Sequence, residues 1–308
     1  MVGTIMTLTN SGTIAGGSGG AGGRIGGAGG AGIWDSGAIG SLASSGTIEG
    51  GVGGKGSNGY GAAGDAIYST GSIGPITNSG EIIGNVEIDN QASVTVTGGV
   101  GRTFGQWTGG AMTIGNGNLT FFGGNTFLAD NISTSGGLGM VTNEGVLQLN
   151  GPQSITGSFT QTGAGVLDLG IAGNAFDQYG ALEISAAASL DGGLGLDLLS
   201  GFSLAVGDKF DVLSFSSYSG GFDALSLDGG ACAPQTADLW RCYTQSKSWY
   251  LTETIGGSSL YQQYVSVTAE TSAPEPSTLA LLAMGLTSLA GWRWRMRAAG
   301  STAPLRAA

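Results

Sequence analysis

The chain has 308 residues, 63 of them glycine, with only 10% charged side chains, no histidine and a net charge of −11. Before Ser277 stand all 21 acidic residues and six of the ten basic ones, so the body lacks the basic footprint that nucleic-acid binding requires, and no nucleic-acid partner is expected. Without histidine, neither a Ser-His-Asp triad nor a Cys-His dyad can be assembled.

Residues 1–92 read as a repeat array with a step of 34 residues. Gly3-Thr4-Ile5 matches Gly37-Ala38-Ile39 and Gly71-Ser72-Ile73. Asn10-Ser11-Gly12-Thr13-Ile14 matches Ser44-Ser45-Gly46-Thr47-Ile48 and Asn78-Ser79-Gly80-Glu81-Ile82. Helical repeats share this period, but apolar residues here lack a 3.6-residue spacing, and so much glycine opposes a helix. Short β-branched segments between Asn-Ser-Gly turns predict a β-solenoid. In it Ile5, Ile39 and Ile73 form one inward column, and Ile14, Ile48 and Ile82 another. The glycine tracts at 16–30 and 50–64 are expected to leave the rungs as loops. Met1 falls inside a repeat and no charged-then-apolar leader precedes it. The sequence therefore reads as lacking its native N-terminus and signal peptide.

Residues 93–230 lose the strict period but keep short strands bounded by Gly or Asn, as at 94–96, 112–114, 119–122, 146–149 and 159–161. Alternation is clean in Leu167/Leu169 and Leu194/Leu196/Leu198, with Asp168 and Asp197 facing outward. The segments Gly157-Ser158-Phe159-Thr160-Gln161-Thr162, Gly165-Val166-Leu167-Asp168-Leu169, Leu190-Asp191-Gly192-Gly193-Leu194 and Gly207-Asp208-Lys209-Phe210-Asp211 resemble the β-helical passengers of autotransporters. That resemblance implies an all-β parallel β-helix, capped near residues 205–227, and says little about a ligand.

Residues 231–271 hold Cys232 and Cys242 and strands expected at 249–254 and 261–268. Two cysteines without histidine leave zinc undercoordinated, so a disulfide is predicted and no metal or other cofactor. Tyr243, Trp249, Tyr250, Tyr261 and Tyr264 gather here. They suit either the core of a small terminal sheet or a platform for sugar rings.

Residues 272–297 are of a different kind. Pro274-Glu275-Pro276 precedes an uncharged run containing Leu279, Leu281, Leu282, Leu286 and Leu289, then Trp292, Arg293, Trp294, Arg295 and Arg297; residues 298–308 trail behind. As a helix, residues 276–294 would extend roughly 28 Å, against about 30 Å of bilayer hydrocarbon. The tryptophans suit the interface, and the arginines would stay on the cytoplasmic side, placing the body across the membrane. This tail resembles the PEP-CTERM sorting domain of exported proteins from Gram-negative, exopolysaccharide-producing bacteria. The resemblance implies an exosortase as processing partner, cleavage near Pro274–Pro276, membrane attachment through a C-terminal transmembrane helix, and association with exopolysaccharide.

Two functional readings stay open from the sequence. One is an exported, non-catalytic surface or extracellular-matrix protein, structural or adhesin-like. The other is a secreted β-helical polysaccharide lyase or hydrolase using paired carboxylates, with Asp168/Glu183 or Glu87/Asp89 as candidate pairs.

Overall fold

The β-branched segments stack into parallel ladders one rung apart. In the computed structural model, which describes residues 3–91, 93–244, 247–257 and 261–272, the chain winds as a parallel β-helix with three long faces. A nine-stranded face (sheet 1) runs from Leu8–Asn10 to Ser217–Gly220. A ten-stranded face (sheet 2) runs from Thr13–Ala15 to Ala224–Leu227 and ends in the short strand Gly230–Ala231. A twelve-stranded face (sheet 3) starts at Ile33–Asp35. A fourth, three-stranded ladder of Thr4–Ile5, Ala38–Ile39 and Ser72–Ile73 accompanies only the first rungs.

Register explains the core. Ile14 pairs with Ile48 and Ile48 with Ile82, and Ile5 with Ile39 and Ile39 with Ile73. These are the two columns expected from the repeat. On sheet 3, Ile33, Ile67, Val86, Met112, Ile132, Ile155 and Ile184 follow one another inward. Strand side chains alternate in direction, so one apolar residue in two builds a continuous buried stack, and no rung could bury its face alone. Ile5 on the first rung stays 48% exposed.

Corners between sheets 1 and 2 are closed by asparagine. Asn10, Asn78 and Asn143 are buried, and the Oδ1 of each accepts the N–H two residues on, from Gly12, Gly80 and Gly145. Their Nδ2 groups donate to the carbonyls of Thr47, Gln106 and Val166 on the next rung. One amide thus forms the turn and ties successive rungs, which explains why Asn-Ser-Gly serves here.

The glycine tracts are ordered layers. Residues 16–32 and 50–66 leave sheet 2 and return to sheet 3. The N–H groups of Gly16, Gly19 and Gly22 donate to the carbonyls of Glu49, Val52 and Lys55; those of Gly27 and Gly30 donate back to Gly20 and Gly17 in their own tract. A hydrogen bond every third residue matches the three-residue turn of a polyproline-II-type chain. Glycine is required because the tracts lie against one another: a Cβ on Gly51 or Gly54 would collide with the backbone of Gly17 or Gly20. After Glu81–Ile83 the chain crosses directly to Val86–Ile88, and the later rungs are shorter.

Parallel stacking ends at Lys209–Phe215, Ser217–Gly220 and Ala224–Leu227. The strand Tyr261–Ser272 pairs antiparallel with Lys209–Phe215, and Lys247–Gly256 and Leu239–Tyr243 follow outward. This antiparallel sheet extends sheet 3 and covers the last rung with Trp240, Trp249, Leu251, Val265 and Val267, all buried. The edge that an open last rung would expose is thereby paired or covered.

Candidate functional site

Three features outside the core carry polar chemistry: a carboxyl pair on sheet 2, a cleft under the terminal sheet, and the tail beyond Ser272.

Asp168 and Asp197 lie on adjacent strands of sheet 2, and both side chains face outward. Asp168 stands opposite Gly195, and Asp197 opposite Gly170. A Cβ on Gly195 would run into the Asp168 carboxylate, so glycine leaves room for the two acids to meet. Gln148 Nε2 donates to Asp168 Oδ2 at 3.4 Å. Burial first, then the Asp197 charge and its hydrogen bond, push Asp168 up to about 7. Asp168 therefore keeps its proton well above the ordinary carboxylate range.

The carboxylate pairs proposed from sequence behave differently. Asp168 and Glu183 belong to different faces of the helix, sheet 2 and sheet 3. Glu87 and Asp89 are neighbours, and burial followed by the charges of Asp89 and Asp65 raises the Glu87 pKa. The partner of Asp168 escaped sequence reading because it lies beyond the strict repeat. Aligning Val166–Ile171 on Gly193–Leu198 by their Leu-x-Leu cores would have found it.

The terminal aromatics do not make one platform. Trp249 is buried. Tyr261 stacks on Phe215, Lys209 sits over Tyr264 at 3.8 Å, and Arg241 lies over the rings of Tyr243 and Tyr250. Cys232 and Cys242 are bonded to each other and tie Leu239–Tyr243 to the segment before it.

Between the last rung and the terminal sheet lies a cleft of about 430 Å³. Its walls are Tyr218, Gly220, Gly221 and Phe222 from the rung side and Asp238, residues 252–255 and Gln263 from the sheet. Burial, opposed by the nearby Trp240 indole N–H and reinforced by Asp238, raises Glu253 to about 7. The indole N–H lies beside that carboxyl, but Trp240 Nε1 and Glu253 Oε1 do not meet in hydrogen-bond geometry. Among the described residues, no three His, Cys, Asp or Glu side chains come together as a metal site, and no helix is long and apolar enough to cross a membrane.

The last described strand ends at Ser272, so Pro274, Glu275, Pro276, the apolar run and the arginines lie outside the described residues. Their order along the chain decides their meaning: residues 272–298 match the family model of the PEP-CTERM protein-sorting motif. The chain carries a PEP-CTERM sorting motif. No curated protein matches the chain. The sorting motif begins where the terminal sheet ends, so the signal follows a finished fold. It marks the chain as an exported protein sorted through an exosortase.

Proposed function

We propose that this exported protein is a non-catalytic, elongated spacer or adhesin-like component of the cell surface or extracellular matrix. Before processing it is held in the inner membrane by the apolar run and arginines after Pro276; afterwards it associates with exopolysaccharide. The observation that carries this reading is the placement of a sorting motif at residues 272–298 directly behind a capped, rod-building β-helix. A stack of rungs projects a surface away from its attachment point at little cost per unit length, because each rung is stabilised by its neighbours. Its net negative body would be repelled by anionic headgroups, which favours projection over lying flat.

The Asp168–Asp197 pair speaks for a second reading, the β-helical hydrolase, because the pKa of its Asp168 carboxyl is raised to about 7. Glycosidase carboxyls stand roughly 5 to 9.5 Å apart, so that a sugar carbon or a water fits between them. Asp168 and Asp197 approach closely enough to raise the Asp168 pKa, and assaying exopolysaccharide for new ends decides between the two readings.

The test is fractionation of cells expressing the full chain and a chain ending at Pro276, each preceded by a cleavable secretion leader and an N-terminal epitope. The full chain is expected on the surface or in the matrix, with the segment after Pro276 removed. An unchanged destination after truncation would sink the reading. So would new reducing or unsaturated ends appearing in exopolysaccharide incubated with the purified protein.

A further inference from the structure

The terminal sheet has an inward face that covers the last rung, and its composition changes along its length. Trp240 stands opposite Leu251, and Leu251 opposite Val267; all three are buried and apolar. Two positions further along the same face, Glu253 stands opposite Val265, and Ile255 opposite Gln263. Strand alternation demands apolar residues here, yet a carboxyl and a carboxamide occupy these places. Gln263 is only 2% exposed, and among the described residues its Oε1 has no hydrogen-bond partner; Glu253 Oε1 is buried without one as well. An unpaired buried acceptor costs folding stability that a leucine at the same place would not. Breaks of this kind, made at a stability cost, concentrate at binding sites.

Both groups line the cleft between sheet and rung, together with Asp238, Tyr218 and Phe222. We propose that this cleft binds an uncharged, hydroxylated ring, a neutral hexose unit of a glycan. The unpaired acceptor Gln263 Oε1 calls for an O–H donor, and the Glu253 carboxyl, with only the imperfectly placed Trp240 N–H beside it, offers a second acceptor. Tyr218, Phe222 and Ile255 offer apolar surface to the C–H face of such a ring. Among the described residues no Lys or Arg lines the cleft, while Asp238 and Glu253 do, so uronic acids and phosphates are disfavoured. Its volume of about 430 Å³ lies within the usual span for small-molecule sites, about 300 to 1,000 Å³. The inference deepens the matrix-protein reading and relies on it only for where the glycan is met.

The experiment is ligand-observed NMR and calorimetry on the full chain in detergent. The probes are the disaccharides of glucose, galactose, mannose and N-acetylglucosamine, with glucuronate and calcium chloride alongside. Saturable binding of at least one neutral disaccharide is expected. Gln263→Leu and Glu253→Gln should each weaken it by about tenfold or more, and Gln263→Leu should leave the melting temperature unchanged or raised. Tyr218→Phe, at a position 44% exposed, keeps the ring's packing on Phe215 and Tyr261; Tyr218→Ala removes the ring from the cleft, should weaken binding, and serves if either other variant fails to fold. The proposal is overturned if no neutral sugar binds, if binding ignores Gln263→Leu, Glu253→Gln and Tyr218→Ala alike, or if glucuronate or calcium binds in preference. Absence of sugar binding in a correctly exported protein removes this inference alone; sugar binding by a protein that is never exported removes the matrix reading instead.

Discussion

Gly54 lies directly against Gly20 of the preceding tract, leaving no room for a Cβ between them, while its N–H donates to Gly27 O at 2.7 Å. Gly20 occupies the equivalent place one repeat earlier, and a Cβ there would meet nothing within 4 Å. The same residue type at the same repeat position thus faces opposite steric demands.

Gly54→Ala should therefore split the packed tracts, costing about 1–3 kcal/mol, whereas Gly20→Ala should be neutral or slightly stabilising. Amide hydrogen exchange across residues 16–64 measures this directly. Protection should fall for Gly54→Ala and persist for Gly20→Ala. Equal loss in both would mean that the tracts are not packed as described.

Asn143 belongs to a buried amide chain. Its Nδ2 donates to Gln161 Oε1 and to Val166 O, both at 3.1 Å, while Gln161 Nε2 donates onward to Asp191 O and Gly193 O. Asn143→Leu strands the Gln161 acceptor and the Gly145 N–H, so a loss of about 2–4 kcal/mol is expected. Replacing Gln161 by leucine as well removes the stranded partner, and the double change should cost less than the sum of the single ones. Urea titrations of the four proteins give the coupling. Strict additivity would show that the two amides stabilise independently.

What the sequence revealed depended on whether rungs repeat. Ile14, Ile48 and Ile82 could be aligned because three units share a 34-residue step, and a repeated rung stacks like on like. The glycine tracts were visible as composition, but their hydrogen-bonded layering was not, since it arises only when two tracts meet. Asp168 and Asp197 belong to rungs of unequal length, and their meeting needs a register that no period supplies. Gln263 and Glu253 become unusual only once the antiparallel order of the terminal strands shows which face is inward. The sorting motif was fully legible, because it is read as linear order: turn motif, apolar run, then arginines.

Cys232 and Cys242 close a short loop, with a sequence separation of 10, beside the strand that holds Trp240. Constraining a loop of this size in the unfolded chain is worth about 2–3 kcal/mol. Replacing both cysteines by serine should lower stability by that amount and raise proteolytic sensitivity first within residues 230–244. Melting curves with and without reductant provide the check. A wild-type melting temperature insensitive to a reductant that does break the bond would refute the stabilising role.

The carboxyl pair on sheet 2 makes stability depend on pH. Asp168 ionises near 3.8 in an unfolded chain and near 7 in the folded one, so the folded state binds its proton more tightly. The stabilisation from that proton is complete below about pH 4 and is lost as pH rises through about 7. A full shift of this size corresponds to about 4 kcal/mol; for a coupled pair with partial access to solvent, about 1–2 kcal/mol is the expected share. Asp168→Asn keeps the protonated shape without the charge. It should match the wild type near pH 4 and exceed it by that amount at pH 8. Asp197→Asn should act alike, and the two together should add little, since either one ends the repulsion. Taking the difference between variant and wild type at each pH cancels the slopes of other acids, including Glu253. A difference that stays constant from pH 4 to pH 8 would mean that Asp168 does not keep its proton above the ordinary carboxylate range.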